Sequence, residues 1–260
     1  MVTVQQILNW LNDFAPFDSA EGFDNVGLLM GDPQAQVRKV LFGMDVTEAL
    51  VKEAIACNAD LIITHHPFIF RGIKRIDYTE PQGRTLALLT LHNINVIAAH
   101  TNYDKAPGGI GDCLANALGL QNVQSCDDYV RIGSLASPLS PAALTGLIRK
   151  ALRVDPRCYW MKDKPVTRVA VAGGSYGEGY RAALAAGADA YVVGEIGYHE
   201  VADAVEHGLV VYDAGHYATE LPGVVNLYLR FLSDPLFSTQ DIEAVLYQKA
   251  PFTGVLNALT

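Results

Sequence analysis

The chain has 260 residues, of which 50% are hydrophobic and 18% charged, so it can bury a substantial core in one large domain or two small ones. Its formal net charge of −9 argues against a nucleic-acid or anionic-membrane surface as the main function. No signal peptide or membrane span is evident, and the four cysteines form no C-x-x-C pair. These features predict a cytoplasmic protein with reduced thiols.

The first half of the chain alternates helical and strand patterns. Thr3 and Gln6 form a capping-box pattern ahead of apolar residues at helical spacing, which predicts an N-terminal helix. The next predicted elements are a strand at 39–45, a helix at 48–58 capped by Thr47, a strand at 60–66, a helix from Pro81 to His92, a strand at 94–100 and a helix between Gly109 and Gly119. This alternation indicates an α/β fold with mostly parallel strands.

The second half repeats this pattern. Residues 39–66 align without gaps on residues 168–195, and an Ala-x-Ala-x-x-Ala-Asp motif recurs in register. Residues 91–100 also resemble residues 206–216, with one residue inserted. We predict two related α/β lobes produced by an internal duplication, at 1–124 and 125–260. The alternative is that unrelated βαβ units share alanine-rich helices and β-branched strands.

Between and after the repeated segments, the patterns predict a strand at 129–136, a helix started by Ser140 and Pro141, a short strand at 157–161 and a last strand at 241–248. The glycine-rich stretch AGGSYGEG at 172–179 is not a nucleotide-triphosphatase P-loop. Its glycines fit either a phosphate cradle or a plain tight turn.

Polar side chains collect just after four predicted strands. In α/β sheets, ligands bind beyond the carboxyl ends of the strands, so these residues are candidates for a functional site. They are imidazoles and carboxylates with one Thr and one Asn, namely His65, His66, His100, Thr101, Asn102, Asp104, Glu195, His199, His216 and Glu220.

The spacing of these residues favours a metal site. His216 and Glu220 are four residues apart at the first turn of a predicted helix, so they share one helix face. His65 and His66 can reach the same point because Pro67 indicates a break in the strand. Imidazoles together with carboxylates suit Zn²⁺, Mn²⁺ or Fe²⁺. Three imidazoles and two carboxylates suit two such ions that share a bridging carboxylate and a bridging water.

Each residue also has a structural interpretation. His92 and His207 lie near predicted helix C-termini and are interpreted as capping residues. Asp104 taken alone fits a turn. The convergence of separate strand ends is what favours the metal site.

Six blocks of the chain resemble, in order, the GTP cyclohydrolase I type 2 homolog family, also called the Ngg-one-interacting-factor-three-like family. The blocks are GFDNVGLLMGDP (22–33), ADLIITHHPFIF (59–70), AAHTNYD (98–104), AGGSYG (172–177), GEIGYHE (194–200) and DAGHYATE (213–220). The resemblance implies two α/β lobes with a metal-binding cleft between them, and a toroidal homohexamer built as a trimer of dimers.

The same resemblance implies two divalent metal ions per chain, with His65, His66, Asp104, His216 and Glu220 as ligands and Glu220 as the bridge. His100, Glu195 and His199 then become candidates for catalysis or substrate contact. Only about 40 residues separate the halves, so the chain resembles the short form of the family, without an inserted domain.

The family name implies a metal-dependent hydrolase that opens the guanine imidazole ring of GTP, with His100 or Glu195 shuttling protons. The site blocks are poor in basic residues, and FRGIKR at 70–75 is either the source of charge for a phosphate tail or a solvated loop. Two alternatives stay open. One is a dinuclear phosphoesterase or amidohydrolase with another substrate, and the other is a non-catalytic, metal-binding ring that holds a partner.

Overall fold

A computed structural model of the protein describes residues 2–161 and 164–249. Within these ranges the helices are α1 (Val4–Phe14), α2 (Glu48–Ala56), α3 (Pro81–Leu91), α4 (Thr101–Lys105), α5 (Ile110–Ala117), α6 (Pro141–Leu152), α7 (Tyr180–Ala185), α8 (Tyr198–Glu206), α9 (His216–Ser233) and α10 (Pro235–Ser238). The strands are β1 (Val2–Thr3), β2 (Gly27–Met30), β3 (Gln36–Val37), β4 (Lys39–Gly43), β5 (Leu61–Thr64), β6 (Asn95–Ala98), β7 (Gln121–Ser125), β8 (Arg131–Leu139), β9 (Arg157–Tyr159), β10 (Val166–Ser175), β11 (Ala190–Glu195), β12 (Val210–Asp213) and β13 (Glu243–Leu246).

The described part of the chain divides into two compact units, and the first is discontinuous in sequence. The first unit comprises residues 2–107 and 224–249, and the second lies within residues 108–223. This division differs from the consecutive lobes 1–124 and 125–260 that the repeat predicted. The physical reason is that β13, near the end of the chain, pairs in parallel with β4 of the first unit.

The first unit contains a five-stranded sheet within the described residues, in the order β13-β4-β5-β6-β2. The first four strands are parallel, and β2 is antiparallel to β6. Leu41, Ile62 and Val96 are buried on one face with residues of α2 and α3. On the other face Phe42 packs against Phe231 of α9, with ring centroids 5.4 Å apart. Both faces of the sheet are therefore covered, which explains its nearly continuous apolar strands.

The second unit contains a six-stranded sheet within its described residues, in the order β7-β8-β10-β11-β12-β9. The strands β10, β11 and β12 are parallel to one another, whereas β8 and β9 are antiparallel to their neighbours. Alternate residues of β11 are buried on opposite faces of the sheet, since Val192 packs in one core cluster and Tyr191 in the other. The α/β class predicted from the sequence is confirmed.

The aligned halves adopt the same local structure. Val40 pairs with Leu61, and Val169 pairs with Ala190, at the same offset of 129 residues. The Asp60 carboxylate accepts hydrogen bonds from the backbone N–H groups of residues 38 and 39. In the second unit Asp189 accepts the equivalent bonds from residues 167 and 168. The recurring Asp thus closes the same helix-to-strand turn in both units.

Local sequence signals begin the helices where they were predicted. Thr3 and Gln6 form the complete capping box of α1. Thr47 caps α2 and Ser140 caps α6, each by accepting a hydrogen bond from a backbone N–H group of the first turn. No helix in the described part of the chain is long and apolar enough to cross a lipid bilayer. The four cysteines are free thiols and are half-buried.

Candidate metal centre

His65 and His66 lie immediately beyond β5, which ends at Thr64. Their backbone N–H groups donate to the carbonyl oxygens of Gly43 and Met44, which hold this loop against the end of β4. The two imidazole rings lie 5.1 Å apart, and His65 is 1% exposed. Two adjacent histidines therefore share one strand end, because the chain leaves the extended conformation there.

Hydrogen bonds set the tautomer of both rings. His65 Nδ1 lies 2.8 Å from the carbonyl oxygen of Ala99, and His66 Nδ1 lies 2.7 Å from Asp45 Oδ1. Carbonyl and carboxylate oxygens only accept hydrogen bonds, so Nδ1 carries the proton and Nε2 of the neutral ring carries the lone pair. This tautomer binds a metal ion through Nε2, and such partners orient metal-ligating histidines in general.

His100 is the third imidazole of this cluster. Its ring centroid lies 5.2 Å from that of His65 and 5.6 Å from that of His66. One ring nitrogen from each of the three histidines lies within 4.8 Å of the others. This separation places His100 beside any ion that His65 and His66 would hold.

A buried carboxylate holds His100 in place. His100 Nδ1 lies 2.9 Å from Asp24 Oδ1, and the backbone N–H of Thr101 donates to the other Asp24 oxygen. Burial raises the pKa of Asp24, but the hydrogen bonds from His100 and Thr101 outweigh it and hold that pKa well below its usual range. Asp24 is therefore an anion that fixes the orientation of the His100 ring.

Asp24 and Asp45 are not among the site residues predicted from the sequence. Asp24 belongs to the conspicuous block GFDN but is separated from His100 by 76 residues, so sequence alone does not pair them. Asp45 was detectable, because it follows the end of β4 just as His66 follows the end of β5.

Asp104 completes a first set of candidate ligands, which we call the first ligand set and define as His65, His66 and Asp104. It lies on α4, and its Oδ1 atom is 3.5 Å from His65 Nε2. Two donors about 2.1 Å from one tetrahedral ion lie about 3.4 Å apart, and about 3.0 Å apart around an octahedral ion. The separation of these two atoms fits a shared divalent cation, as does their mixed nitrogen and oxygen chemistry.

The second ligand set, which we define as His216 and Glu220, lies in the second unit. Both residues are on the first turns of α9, and His216 Nε2 lies 3.1 Å from Glu220 Oε1. This distance also falls in the range expected for two ligands of one ion. Glu220 is 4% exposed, and a carboxylate is rarely buried to this extent without a charged partner.

Gly174 makes room for the second ligand set. A Cβ atom at this position would lie 2.3 Å from Glu220 Oε1 and 3.2 Å from His216 Nε2. Gly174 also has a positive φ of 62°, which favours glycine. The glycine-rich stretch had two interpretations, and this contact indicates a third role, since its backbone cradles a carboxylate and an imidazole.

The remaining site candidates differ in their surroundings. Glu195 Oε2 lies 3.4 Å from His216 Nδ1, so it lies beside the second ligand set. His199 lies on α8 and is exposed, and its ring contacts that of Tyr198 at 5.3 Å. Among the described residues, it forms no hydrogen bond or ion pair with His216 or Glu220.

The two histidines interpreted as capping residues lie at helix ends. His92 is the C-cap residue of α3. His207 follows α8, and its Nδ1 atom lies 2.8 Å from the carbonyl oxygen of Asp203 in the last helical turn. The capping role predicted for His207 is confirmed.

Comparisons with known proteins agree with the motifs described above. A family model described as Duf34/NIF3 (NGG1p interacting factor 3) matches residues 2–251. A protein of Clostridium perfringens named "GTP cyclohydrolase 1 type 2 homolog" is 34% identical over 233 residues, which cover 86% of this chain and 89% of that protein.

Solved structures share the fold over nearly the whole chain. The Staphylococcus aureus protein SA1388 superposes with a TM-score of 0.88 at 26% identity, and the match covers 96% of this chain and 98% of that one. Reduced HcgD from Methanocaldococcus jannaschii gives a TM-score of 0.80 at 28% identity and covers 95% and 98% of the two chains. These matches confirm the family resemblance of the sequence blocks, and the chain belongs to the Duf34/NIF3 family.

Proposed function

We propose that this protein is a metal-dependent hydrolase of the GTP cyclohydrolase I type 2 kind, acting on a nucleotide or a related heterocycle. Both ligand sets serve one dinuclear centre of Zn²⁺, Mn²⁺ or Fe²⁺, and Glu220 is the bridging ligand. The relatives' name supports the reaction class, and the chemistry of the two ligand sets supports the metal.

One observation carries the metal assignment more than any other. His65 is a buried imidazole whose Nδ1 proton is committed to the Ala99 carbonyl, while its Nε2 atom faces the Asp104 carboxylate at 3.5 Å. With a neutral ring, two lone pairs face each other across this gap. A cation placed there relieves the repulsion, and the second ligand set offers the same pairing of imidazole and carboxylate.

Divalent ions, when bound, supply Lewis acidity and lower the pKa of a water molecule. The chain's own residues provide the rest. Ala99 and Asp45 keep the His65 and His66 rings in the ligand tautomer, so little reorganisation is needed on binding. His100 keeps one proton on Nδ1 against Asp24, which leaves its Nε2 atom to accept a proton from the reacting groups.

Glu195 lies beside the second ligand set, as His100 lies beside the first. Its carboxylate lies against His216 Nδ1 and its side chain is 58% exposed, so it can exchange protons with solvent. We assign it to proton transfer, as we do His100. For His199 we retain only contact with substrate, since its exposed ring lies next to Tyr198.

We also infer that the two units descend from a duplication. The shared strand register and the paired Asp60 and Asp189 turns support it. The duplication relates His100 to His216, and each is followed by a carboxylate four residues later, Asp104 or Glu220. His100 with Asp104, and His216 with Glu220, would then be diverged copies of one His-x-x-x-acid motif, of which the first ligand set keeps only the acid. The homohexameric ring implied by the family resemblance remains our proposal for the assembly, and light scattering tests it.

The metal assignment is tested by elemental analysis of the purified protein beside the Glu220→Gln variant. Gln keeps the size of the side chain but removes the anionic oxygen that a bridging ligand needs. We expect two ions per chain in the wild type and at most one in the variant. Wild-type protein without bound metal after supplementation with Zn²⁺, Mn²⁺ and Fe²⁺ would refute the proposal.

The reaction is tested separately with GTP and metal-loaded protein. We expect formate release from the wild type and none from His65→Ala, because that variant loses a ligand. Protein with two ions per chain that releases no formate would exclude the cyclohydrolase reaction. A panel of phosphoesters and cyclic amides would then identify the substrate class of the same centre.

A further inference from the structure

The loop at residues 70–75, which we call the basic loop, carries cations without acidic partners. Arg71, Lys74 and Arg75 are exposed, and within residues 2–161 and 164–249 none of them forms an ion pair or a side-chain hydrogen bond. Elsewhere most cations are paired, as Lys105 is with Glu21 at 2.7 Å. In a chain of net charge −9, three such cations within five residues form a local positive field.

The basic loop lines an open surface cavity of about 450 Å³. Its walls combine the three cations with apolar side chains, and two carboxylates complete the lining. Phe68, Phe70 and Ile73 supply the apolar part of the lining, and Asp77 and Glu80 supply the carboxylates. Asp77 is already engaged, because it accepts hydrogen bonds from the backbone N–H and the hydroxyl of Thr79. Glu80 is the second carboxylate, so the three cations exceed the carboxylates of the lining by one charge, and no ion pair within the described residues occupies these cations.

Phe70 connects this cavity with the histidine cluster. Its ring lines the cavity on one side, and its centroid lies 6.2 Å from that of His100 on the other. Phe23 lies 6.3 Å from Phe70, and the two rings are 68% and 41% exposed, respectively. Asn25 fixes the start of the loop by donating to the Ile69 carbonyl oxygen. Phe70 thus lies between the histidine cluster and the cations, and Phe23 lies beside Phe70.

We propose that the basic loop binds the phosphate tail of a phosphorylated planar heterocycle, whose ring stacks on Phe70, with Phe23 at its edge, beside the first ligand set. Arginine and lysine bind phosphate oxygens through charge-assisted hydrogen bonds, and exposed aromatic rings stack on planar bases. Along the surface, the imidazoles are followed by the aromatic rings and then by the cations. A nucleotide has a matching order, with its heterocycle at one end and its phosphates at the other. The position of the heterocycle rests on the proposed function, whereas phosphate binding by the loop does not.

The same loop could instead be a solvated, charged surface. A merely solvated loop needs neither a cavity nor an aromatic connection to the histidines, and this chain has both. A nucleic acid is the less suitable ligand because the positive region spans only a few residues of an acidic chain. A mononucleotide is the ligand whose size and charge fit the cavity.

Isothermal titration of the full-length, metal-loaded protein with GTP, guanosine and inorganic tripolyphosphate tests the proposal. The variant is Arg71→Gln/Lys74→Gln, and the matched control is Lys150→Gln/Arg153→Gln, which removes the same two charges from α6 and its C-cap. We expect the first variant to weaken GTP and tripolyphosphate binding about tenfold, since each exposed contact contributes modestly, and to leave guanosine unchanged. The control should bind all three probes like the wild type.

Phe70→Ala provides the complementary measurement. It should weaken GTP and guanosine binding but leave tripolyphosphate binding unchanged, because it removes the stacking surface and no charge. Equal binding of tripolyphosphate by the wild type and Arg71→Gln/Lys74→Gln, or an equal loss in the control, would overturn the proposal. Tighter binding of an oligonucleotide than of GTP to the loop would also overturn it.

The metal content of each sample separates this proposal from the proposed function. If the protein binds no metal and yet loses tripolyphosphate binding in Arg71→Gln/Lys74→Gln, phosphate binding by the loop stands and the hydrolase fails. If the metal-loaded enzyme releases formate from GTP with unchanged KM in that variant, the hydrolase stands and the loop assignment fails.

Discussion

Replacing Gly174 with alanine tests the role of the glycine-rich turn in the second ligand set. The substitution adds one methyl group, and its Cβ atom would lie 2.3 Å from Glu220 Oε1. Ordinary contacts of this kind begin at 3.4 Å, so the carboxylate has to move by about 1 Å. Metal–ligand distances tolerate deviations of only about 0.2 Å, and we therefore expect Glu220 to be lost as a ligand.

The expected change in the stability of Gly174→Ala has two parts, one from the backbone conformation and one from the loss of metal binding. Alanine at a positive φ costs about 1 kcal/mol relative to glycine, whether or not metal is bound. Metal at about 100 times its Kd stabilises the folded protein by about 2.7 kcal/mol. That gain corresponds to a rise in Tm of about 5–10 °C for a protein of this size. Gly174→Ala should lose most of this metal-dependent rise.

Gly119→Ala is the matched control. Gly119 has a similar φ of 68°, and a Cβ atom there meets no other atom within 4 Å. Both variants should therefore show the same small decrease in Tm when metal has been removed. Only Gly174→Ala should then fail to gain stability when Zn²⁺ or Mn²⁺ is added.

Differential scanning calorimetry with and without chelator measures both parts, and elemental analysis counts the ions. A Gly174→Ala protein that keeps the full metal-dependent rise in Tm would show that Glu220 does not bind metal. An equal loss in Gly119→Ala would show that backbone strain, rather than contact with the carboxylate, produces the effect.

Three further substitutions test other parts of the structure. Asp45→Asn should weaken metal binding about 10–100-fold in a chelator competition, because the His66 ring loses its anionic partner, and unchanged affinity would contradict this orienting role. Burial raises the pKa of Asp189, but bonds from two backbone N–H groups outweigh it and lower that pKa. Asp189→Asn should thus reduce the free energy of unfolding by about 1–2 kcal/mol at pH 7. In urea titrations, the difference in unfolding free energy between the wild type and Asp189→Asn should shrink as the pH falls below about 3.9. The hydrogen bonds that lower the pKa of Asp189 stabilise the fold only while its carboxyl group is ionised. A pH-independent difference would refute this role of Asp189. Trp10 packs against three aromatic rings and donates to Asp234, so Trp10→Ala should cost about 3–5 kcal/mol by chemical denaturation, and a loss below 1 kcal/mol would be inconsistent with this packing.

The parts of the fold that local chemistry determines could be predicted from the sequence. The capping box at Thr3 and the N-cap residues Thr47 and Ser140 act within one helical turn, so their effect can be read from neighbouring residues. The central parallel strands also stood out, because strands buried on both faces are continuously apolar.

Elements that depend on distant partners were missed. The strand β7 has the polar sequence QNVQS and is mostly exposed, so it shows neither alternation nor an apolar run. It forms because β8 offers backbone hydrogen bonds at the edge of the sheet. The pairing of Asp24 with His100 depends in the same way on the fold bringing remote segments together.

In the candidate site, too, the residues that depend on distant partners could not be predicted from the sequence. The imidazoles and carboxylates of both ligand sets could be listed from strand ends, because topology places those ends at one edge of a sheet. Their orienting partners could not, because a backbone carbonyl such as that of Ala99 carries no sequence signal. The space beside Gly174 likewise depends on where Glu220 falls after folding.

The discontinuity of the first unit has a consequence for biosynthesis. The parallel partner of β4 is β13, which emerges from the ribosome some 200 residues after it. The first unit therefore cannot complete its sheet until β13 has been synthesised, by which time residues 108–223 of the second unit have already been made. Nascent chains arrested near residue 223 should accordingly contain a protease-resistant second unit, and the N-terminal segment should remain dependent on chaperones until the last strand arrives.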